Sequence, residues 1–323
     1  MKIRRRQFLR LSVAASTLPI SSRFASAQSY PTRPVHLVEG FGAGGAPDVV
    51  ARLIGQSLSE RLGQSFVIEN RSGATGNIAT EAVVRAPPDG YTLLLVSAGN
   101  AINATMFKLS FDILRDLAPI AGIVRVPLVM EVHPSIAARS VAEFIAYAKV
   151  NPGKVNMASA GIGSLPHVAG EMFKAMAGVD LFHVPYRGAQ VFPALLAGEA
   201  QVYFGPLLSS IEYVRAGSFR ALAVTTAARS PILPDIPTLG ETLPGYEASA
   251  WYGIGGPRRT PEDVIEKLNK EVNVSIADPK FQARLAHLGG TSLGGSPADF
   301  GKLISDEVKK WGRVILAANM KRE

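Results

Sequence analysis

Five times along this 323-residue chain a short apolar run ends in a glycine-bearing loop that opens a new element, and this repetition limits the fold more than any other feature. Residues 35–39 read as a buried strand and residues 40–46 as a loop. Pro47 and Asp48 then suit a helix start. A first-turn proline lacks an N–H that would be orphaned anyway, and a carboxylate there meets the positive end of the helix. That helix runs to Leu62, with Val50, Leu53, Ile54, Leu58 and Leu62 on one face and Gly63 as its stop. The unit recurs as strand 65–69 with loop 71–76 and a helix to Ala86, and as strand 91–96 with loop 97–100. It recurs again as strand 155–158 with loop 159–164 and a helix ending near Gly178. The fifth is strand 181–185 with loop 186–189 and a short helix before Gly198. Alternation at this spacing predicts an α/β fold of parallel sheets wrapped by helices. Ligands of such sheets sit beyond the carboxyl ends of the strands, where these loops lie.

Stretches 124–130 and 248–254 read as hinges between two lobes. Beyond the second, Thr260-Pro261-Glu262-Asp263 and Ser296-Pro297-Ala298-Asp299 each place a capping hydroxyl, a first-turn proline and an acid at helix-start offsets. The last helix carries Phe300, Leu303, Ile304, Val308, Trp311 and Ile315 at helical spacing, a core face.

The formal charge of +8, from 34 Lys+Arg against 26 Asp+Glu, suggests an anionic macromolecule as partner until the excess is located. Lys2, Arg4, Arg5, Arg6, Arg10 and Arg23 all lie in residues 1–27, which hold no acid, carry a weakly apolar run over 11–20 and end in Ala25-Ser26-Ala27. That is the layout of a secretory signal peptide. Arg5-Arg6-Gln7-Phe8-Leu9-Arg10 further resembles the twin-arginine export signal, with Arg4 where Ser or Thr is usual. Without these six charges the chain holds 28 basic and 26 acidic residues, so nucleic acid is not expected as a partner. A periplasmic location is expected instead. Absence of cysteine excludes disulfide scaffolds, thiol catalysis and thiolate metal sites.

Gly40, Gly42 and Gly45 satisfy G-x-G-x-x-G between a strand and a helix, with Glu69 where a ribose-binding acid would stand. An exported nucleotide-dependent oxidoreductase is therefore one reading. Against it, Pro47 fills the helix's first turn and Arg71 sits beside Glu69. Tight-turn geometry explains one glycine loop; it explains five less well. Successive N–H groups converging at a helix start form an anion nest, and two nests across a cleft would hold a small dicarboxylate. Catalytic constellations are absent. Of the five histidines only His167 with Glu171 has metal-like spacing, which reads as a helix-surface hydrogen bond, and none of Ser97, Ser159 and Ser164, the serines near strand ends, lies in G-x-S-x-G. No enzyme, metal or cofactor is expected.

Ordered signatures run along residues 30–320. They include Tyr30-Pro31-Thr32-Arg33-Pro34, Gly44-Gly45 with Asp48-Val49-Val50-Ala51-Arg52-Leu53, and Glu69-Asn70-Arg71. Pro88-Asp89-Gly90-Tyr91, His183-Val184-Pro185-Tyr186-Arg187-Gly188, Pro234-Asp235-Ile236-Pro237-Thr238 and Leu243-Pro244-Gly245-Tyr246-Glu247 follow. With these the chain resembles the Bug-type extracytoplasmic solute-binding receptors of tripartite tricarboxylate transporters. The resemblance implies a two-lobed periplasmic binding protein of the Venus-flytrap kind (type II), each lobe a central β-sheet flanked by helices. After the signal peptide at 1–27, one lobe is expected over 28–126 and 249–323, the other over 127–248. It implies a monomer that binds a small carboxylate and delivers it to the transporter's membrane subunits; a sensor that reports to a membrane kinase is the alternative on the same fold. The implied ligand-binding positions are Phe41, Gly42, Ala43, Gly44, Gly45, Ala46 and Asp48 in the first loop, with Ser97 and Asn100. In the other lobe they are Ser159, Gly161, Gly163, Ser164, Tyr186, Arg187, Gly188 and Ala189. Two departures stand out: Ala46-Pro47 where Ser or Thr usually precedes the Asp, and Gly205-Pro206 where an Asp-Asn pair is common. Loss of an acid near the cleft disfavours an amino-acid ligand, so a dicarboxylate or an aromatic carboxylate is expected.

Overall fold

The computed structural model describes residues 30–318 and 320; the export signal read over residues 1–27 lies outside them. From Arg33 onward the chain forms one compact unit. Its strands are β1 (Val35–Glu39), β2 (Phe66–Asn70), β3 (Thr92–Ser97), β4 (Leu117–Val132), β5 (Asn156–Ser159), β6 (Phe182–Pro185), β7 (Val202–Pro206), β8 (Arg220–Val224), β9 (Ser249–Pro257) and β10 (Thr291–Ser292). Between them lie α1 (Ala46–Leu62), α2 (Asn77–Val84), α3 (Ala98–Met106), α4 (Ile113–Asp116), α5 (Val141–Val150) and α6 (Leu165–Ala177). Then come α7 (Val191–Leu196), α8 (Leu207–Arg215), α9 (Glu262–Ala277), α10 (Pro279–His287) and α11 (Pro297–Ala317).

Strand order is β2-β1-β3-β9-β4-β7-β5-β6, with β8 and β10 also pairing β4. Two βαβ groups supply the parallel parts. β1 lies between β2 and β3, and β5 between β6 and β7, all parallel. The expectation of parallel sheets holds there and fails at the centre, where β9 and β4 run antiparallel to their neighbours. The reason is connectivity: both strands return the chain between the halves rather than continuing a crossover. Over residues 117–127, β4 pairs with β9; over 128–132 it pairs with β7 and β8. The two halves of the molecule therefore share one strand.

The crossing is pinned by Thr225, which is fully buried. Its hydroxyl donates to the Ala248 carbonyl (2.6 Å) and accepts from the Leu128 N–H (3.0 Å), while its own N–H meets the Leu128 carbonyl (3.0 Å). Pro127 stands opposite Ser249 there, so both hinge stretches expected from the sequence meet at one place.

Local signals explain the helices that matter for the site. α1 opens behind Gly45 with Pro47 in its first turn and stops at Gly63, whose φ of 70° is the left-handed cap a Cβ would disfavour. Val50, Leu53, Ile54 and Leu58 are buried along its inner face. Ser296 and Asp299 form the capping box expected for α11, which buries Phe300, Ile304, Trp311 and Ile315. Thr260 does not cap its helix: its hydroxyl donates to the Pro257 carbonyl (2.7 Å), closing a turn instead, and α9 begins after Pro261 with no side-chain cap.

Candidate ligand-binding site

Each glycine loop is held by side chains from its own half. In the first loop, Glu39 is fully buried and accepts from the Phe41 N–H at 2.7 Å and from the Asn70 amide. Asp48 accepts from the Gly44 N–H (3.0 Å), the Arg52 Nε (2.9 Å) and the Asn70 amide (2.9 Å). Burial pushes Glu39 up to about 7, against its two hydrogen bonds. Burial works in the same direction on Asp48, but bonds from Arg52, Gly44 and Asn70 outweigh it and hold the carboxyl below its usual range. One carboxyl is easily protonated and the other is fixed as an anion. Together they clamp the backbone from Phe41 to Gly44.

The second loop has neutral support. Ser159 Oγ accepts from the Gly161 N–H (3.1 Å) and is bonded to His183 Nε2 (2.7 Å). His167 Nδ1 accepts from the Gly163 N–H (3.1 Å), and the two imidazoles stack with centroids 3.9 Å apart. Burial drives His167 down to about 3 and His183 to about 4, with each cation further disfavoured by Lys174. The bond expected between His167 and Glu171 is not formed: Glu171 pairs with Lys174 (3.0 Å), and His167 turns inward to the loop.

These clamps aim helix starts at a single cavity. Gly45, Ala46 and Pro47 of α1 line it, as do Ser97, Ala98 and Gly99 at the start of α3. From the other half come Ser164, Leu165 and Pro166 at the start of α6, and Pro206 and Ser209 at the start of α8. Four helices of 17, 9, 13 and 9 residues thus point their N-termini at one space. Each carries roughly half a positive charge there, and none needs a basic side chain to do so. No side chain caps α1, α6 or α8. The hydroxyl of Ser164, a residue only 1% exposed, has no hydrogen-bond partner. A buried donor in that state is poised for a ligand.

An outer vestibule continues from this cavity, with Phe41, Ala160, Gly188 and Ala189 lining both. Gly42, Ala43, Gly161, Tyr186 and Arg187 line the vestibule, and Arg187 is the one charged residue among its described lining residues. The halves touch at its edge. Thr75 Oγ1 donates to the Ile162 carbonyl at 2.5 Å, and the backbones approach closely at Gly188, whose φ is 54°. A Cβ on Gly188 would stand 3.2 Å from the Gly42 nitrogen, so glycine is needed there for conformation and for space.

Of the positions expected from the sequence, Phe41, Gly45, Ala46, Ser97, Ser164, Gly188 and Ala189 line the inner cavity. Gly44, Asp48, Asn100, Ser159 and Gly163 line neither space. Asp48 and Ser159 hold the loops as described. Asn100 accepts from the Ser97 N–H (2.8 Å) and donates to Thr80 (2.8 Å), fixing the start of α3. Residues 97–100 therefore begin a helix rather than form a loop: Ser97 is the N-cap and Asn100 reaches back to it. Sequence reasoning missed the aromatic wall of Phe192, Tyr203 and Tyr252. Tyr252 lies within a hinge stretch and Tyr203 just before Gly205-Pro206, so position alone could have drawn attention to both. The Glu69 carboxylate, the candidate ribose acid, is engaged by Arg71 (2.7 Å) and His36.

A model of the tripartite tricarboxylate transporter family receptor matches residues 50–320. The chain belongs to that family. It is 36% identical to a UPF0065 protein from the tcbD-tcbE intergenic region of Pseudomonas sp. (strain P51), over 97% of this chain and 94% of that one. Among solved structures, Rpa4515 of R. palustris with adipate is 38% identical, with 90% of this chain and 98% of that one covered and a TM-score of 0.88. The periplasmic binding protein BugD is 34% identical over 91% and 100% of the two chains, with a TM-score of 0.87. The family and these neighbours make the chain a periplasmic-type solute-binding protein of the two-lobed fold.

Proposed function

We propose that this protein captures a small carboxylate, a dicarboxylate or an aromatic acid, between two lobes and delivers it to the membrane subunits of a tripartite tricarboxylate-type transporter. Residues 28–126 with 249–323 form one lobe and 127–248 the other, consistent with β4 changing partners near Pro127. It works as a monomer, exported by its twin-arginine-like signal. The observation that carries this reading is the convergence of four helix starts on one cavity beside the unpartnered Ser164 hydroxyl. Such a site offers charge-assisted N–H bonds to an anion, each contributing about 1.5–3 kcal/mol, so a handful reaches the roughly 8 kcal/mol of micromolar binding. The solved structure of a relative with adipate supports a carboxylate as the anion. Ligand bridging both halves favours the closed form by contacts the open form lacks.

A thermal-shift screen tests this directly, since a ligand that binds only the folded state raises the melting temperature. Carboxylates are expected to shift it and their neutral amides are not. Turnover of a bound carboxylate by the purified protein would overturn the receptor reading.

A further inference from the structure

The cavity wall carries prolines where a carboxylate receptor would gain from donors. Pro47 and Pro166 occupy the second position of α1 and α6, one in each half, and Pro206 is the N-cap of α8; all three line the cavity. Proline has no N–H, so each of these starts presents a ring at a position that any other residue would make a donor. Leu165, Phe192, Tyr203 and Tyr252 continue the wall, and none of the described lining residues is Lys, Arg, His, Asp or Glu.

The donors that remain at the two starts with proline in their first turn suit one carboxylate. Its two oxygens have about four acceptor sites. First-turn N–H groups of α1 and α6 and the unpartnered Ser164 hydroxyl, buried at 1% exposure, can fill them. A second carboxylate in the same cavity would have only the starts of α3 and α8 left to it, and would lose its water against the apolar faces of Leu165, Phe192, Tyr203 and Tyr252.

Resting on the carboxylate reading above, we propose that the ligand bears a single carboxylate on an apolar ring, the benzoate class, and that Pro47, Pro166 and Pro206 set this preference. Calorimetric titration of the purified protein with benzoate, benzamide and adipate tests it. Benzoate is expected to bind saturably and at least tenfold tighter than adipate, with benzamide inert. Adipate binding as tightly as benzoate overturns this inference and leaves the carboxylate reading standing. Benzamide matching benzoate, or no binding by any of the three, overturns both. Pro47→Ser restores an N–H and adds a hydroxyl, and is expected to raise the affinity for adipate relative to benzoate at least threefold. Pro166→Ala restores an N–H alone in the other half and is expected to shift the ratio the same way, which guards against a misfolded first variant. An unchanged ratio in folded forms of both would overturn the role of the prolines.

Discussion

The two glycine loops that face each other across the cleft present the same backbone device on opposite chemistry. Gly45-Ala46-Pro47 and Ser164-Leu165-Pro166 both open a helix with an apolar residue and a proline. The first is clamped by an ionic network of Glu39, Asn70, Asp48 and Arg52; the second by a serine and two neutral, stacked imidazoles. Both starts present first-turn N–H groups to the cavity, and either kind of support holds them there. The difference shows in how each half responds to loss of a side chain and to pH.

The largest effect is expected in the ionic loop. Asp48→Ala removes the acceptor of the Gly44 N–H and of the Arg52 Nε, and leaves the Asn70 amide bonded to Glu39 alone. Arg52 is half exposed and can turn to solvent, so the loss stays below that of a fully buried pair, at about 2–3 kcal/mol. Urea unfolding would register that loss, and titration would show carboxylate binding weakened by more than tenfold. A variant as stable and as tight as the parent would mean that the loop does not depend on its charges.

Next in size is the acid response of the neutral loop. His167 and His183 titrate near 3 and 4 in the folded protein, against about 6.5 unfolded. Above pH 6.5 both states are neutral and the contribution is whole. As pH falls from 6.5 towards 4, the unfolded chain takes up protons that the folded chain refuses, and a few kcal/mol of stability are lost. His183→Gln keeps a partner for Ser159 and is expected to reduce this slope between pH 6.5 and 4. Parallel slopes for parent and variant would contradict the burial of an uncharged pair.

Glu39 gives the first loop a slope of the opposite sign, smaller because one group titrates. Its folded value of about 7 lies above the usual 4.5, so the folded state holds the extra proton between these limits. Stability from this group is full below pH 4.5 and is lost as pH rises through 7. Carboxyl NMR titration should place the Glu39 midpoint near 7, and a midpoint below 5 would remove the contrast between the halves.

How far such detail can be read from the chain differs by element. β1, with its five buried or half-buried residues, and the stop of α1 at Gly63 are legible because apolar runs and glycine caps are local signals. β4 is not legible as a strand, and its stretch 124–130 reads only as a hinge. It is buried along nearly its whole length and shows no alternation, and Pro119 and Pro127 interrupt the pattern of a strand. Its role as the strand common to both halves comes from pairings with β7, β8 and β9, none of them local. The site divides in the same way. Loop glycines and Ser164 announce themselves beside helix starts, whereas Phe192, Tyr203 and Tyr252 reach the cavity only through the packing of α7, β7 and β9. Asp48, in the first turn of α1, and Ser159, the last residue of β5, hold the neighbouring loops by hydrogen bonds to Gly44 and Gly161, a role for which the sequence carries no local signal.

The smallest effect on folding, and the sharpest separation of ligand contact from structural support, is expected at Ser164. It occupies the N-cap of α6 as Gly45 does that of α1, yet its hydroxyl bonds to nothing in the chain. An N-cap serine that caps is worth about 1 kcal/mol of stability, so Ser164→Ala would cost that much if the hydroxyl served the helix. Since it does not, the melting temperature should hold or rise slightly, as a buried unpaired donor disappears. Affinity for the best carboxylate of the thermal-shift panel should fall about tenfold, the loss of one charge-assisted bond. The converse pattern, lost stability with unchanged affinity, would make Ser164 a structural cap and move the recognition of the anion onto the backbone alone.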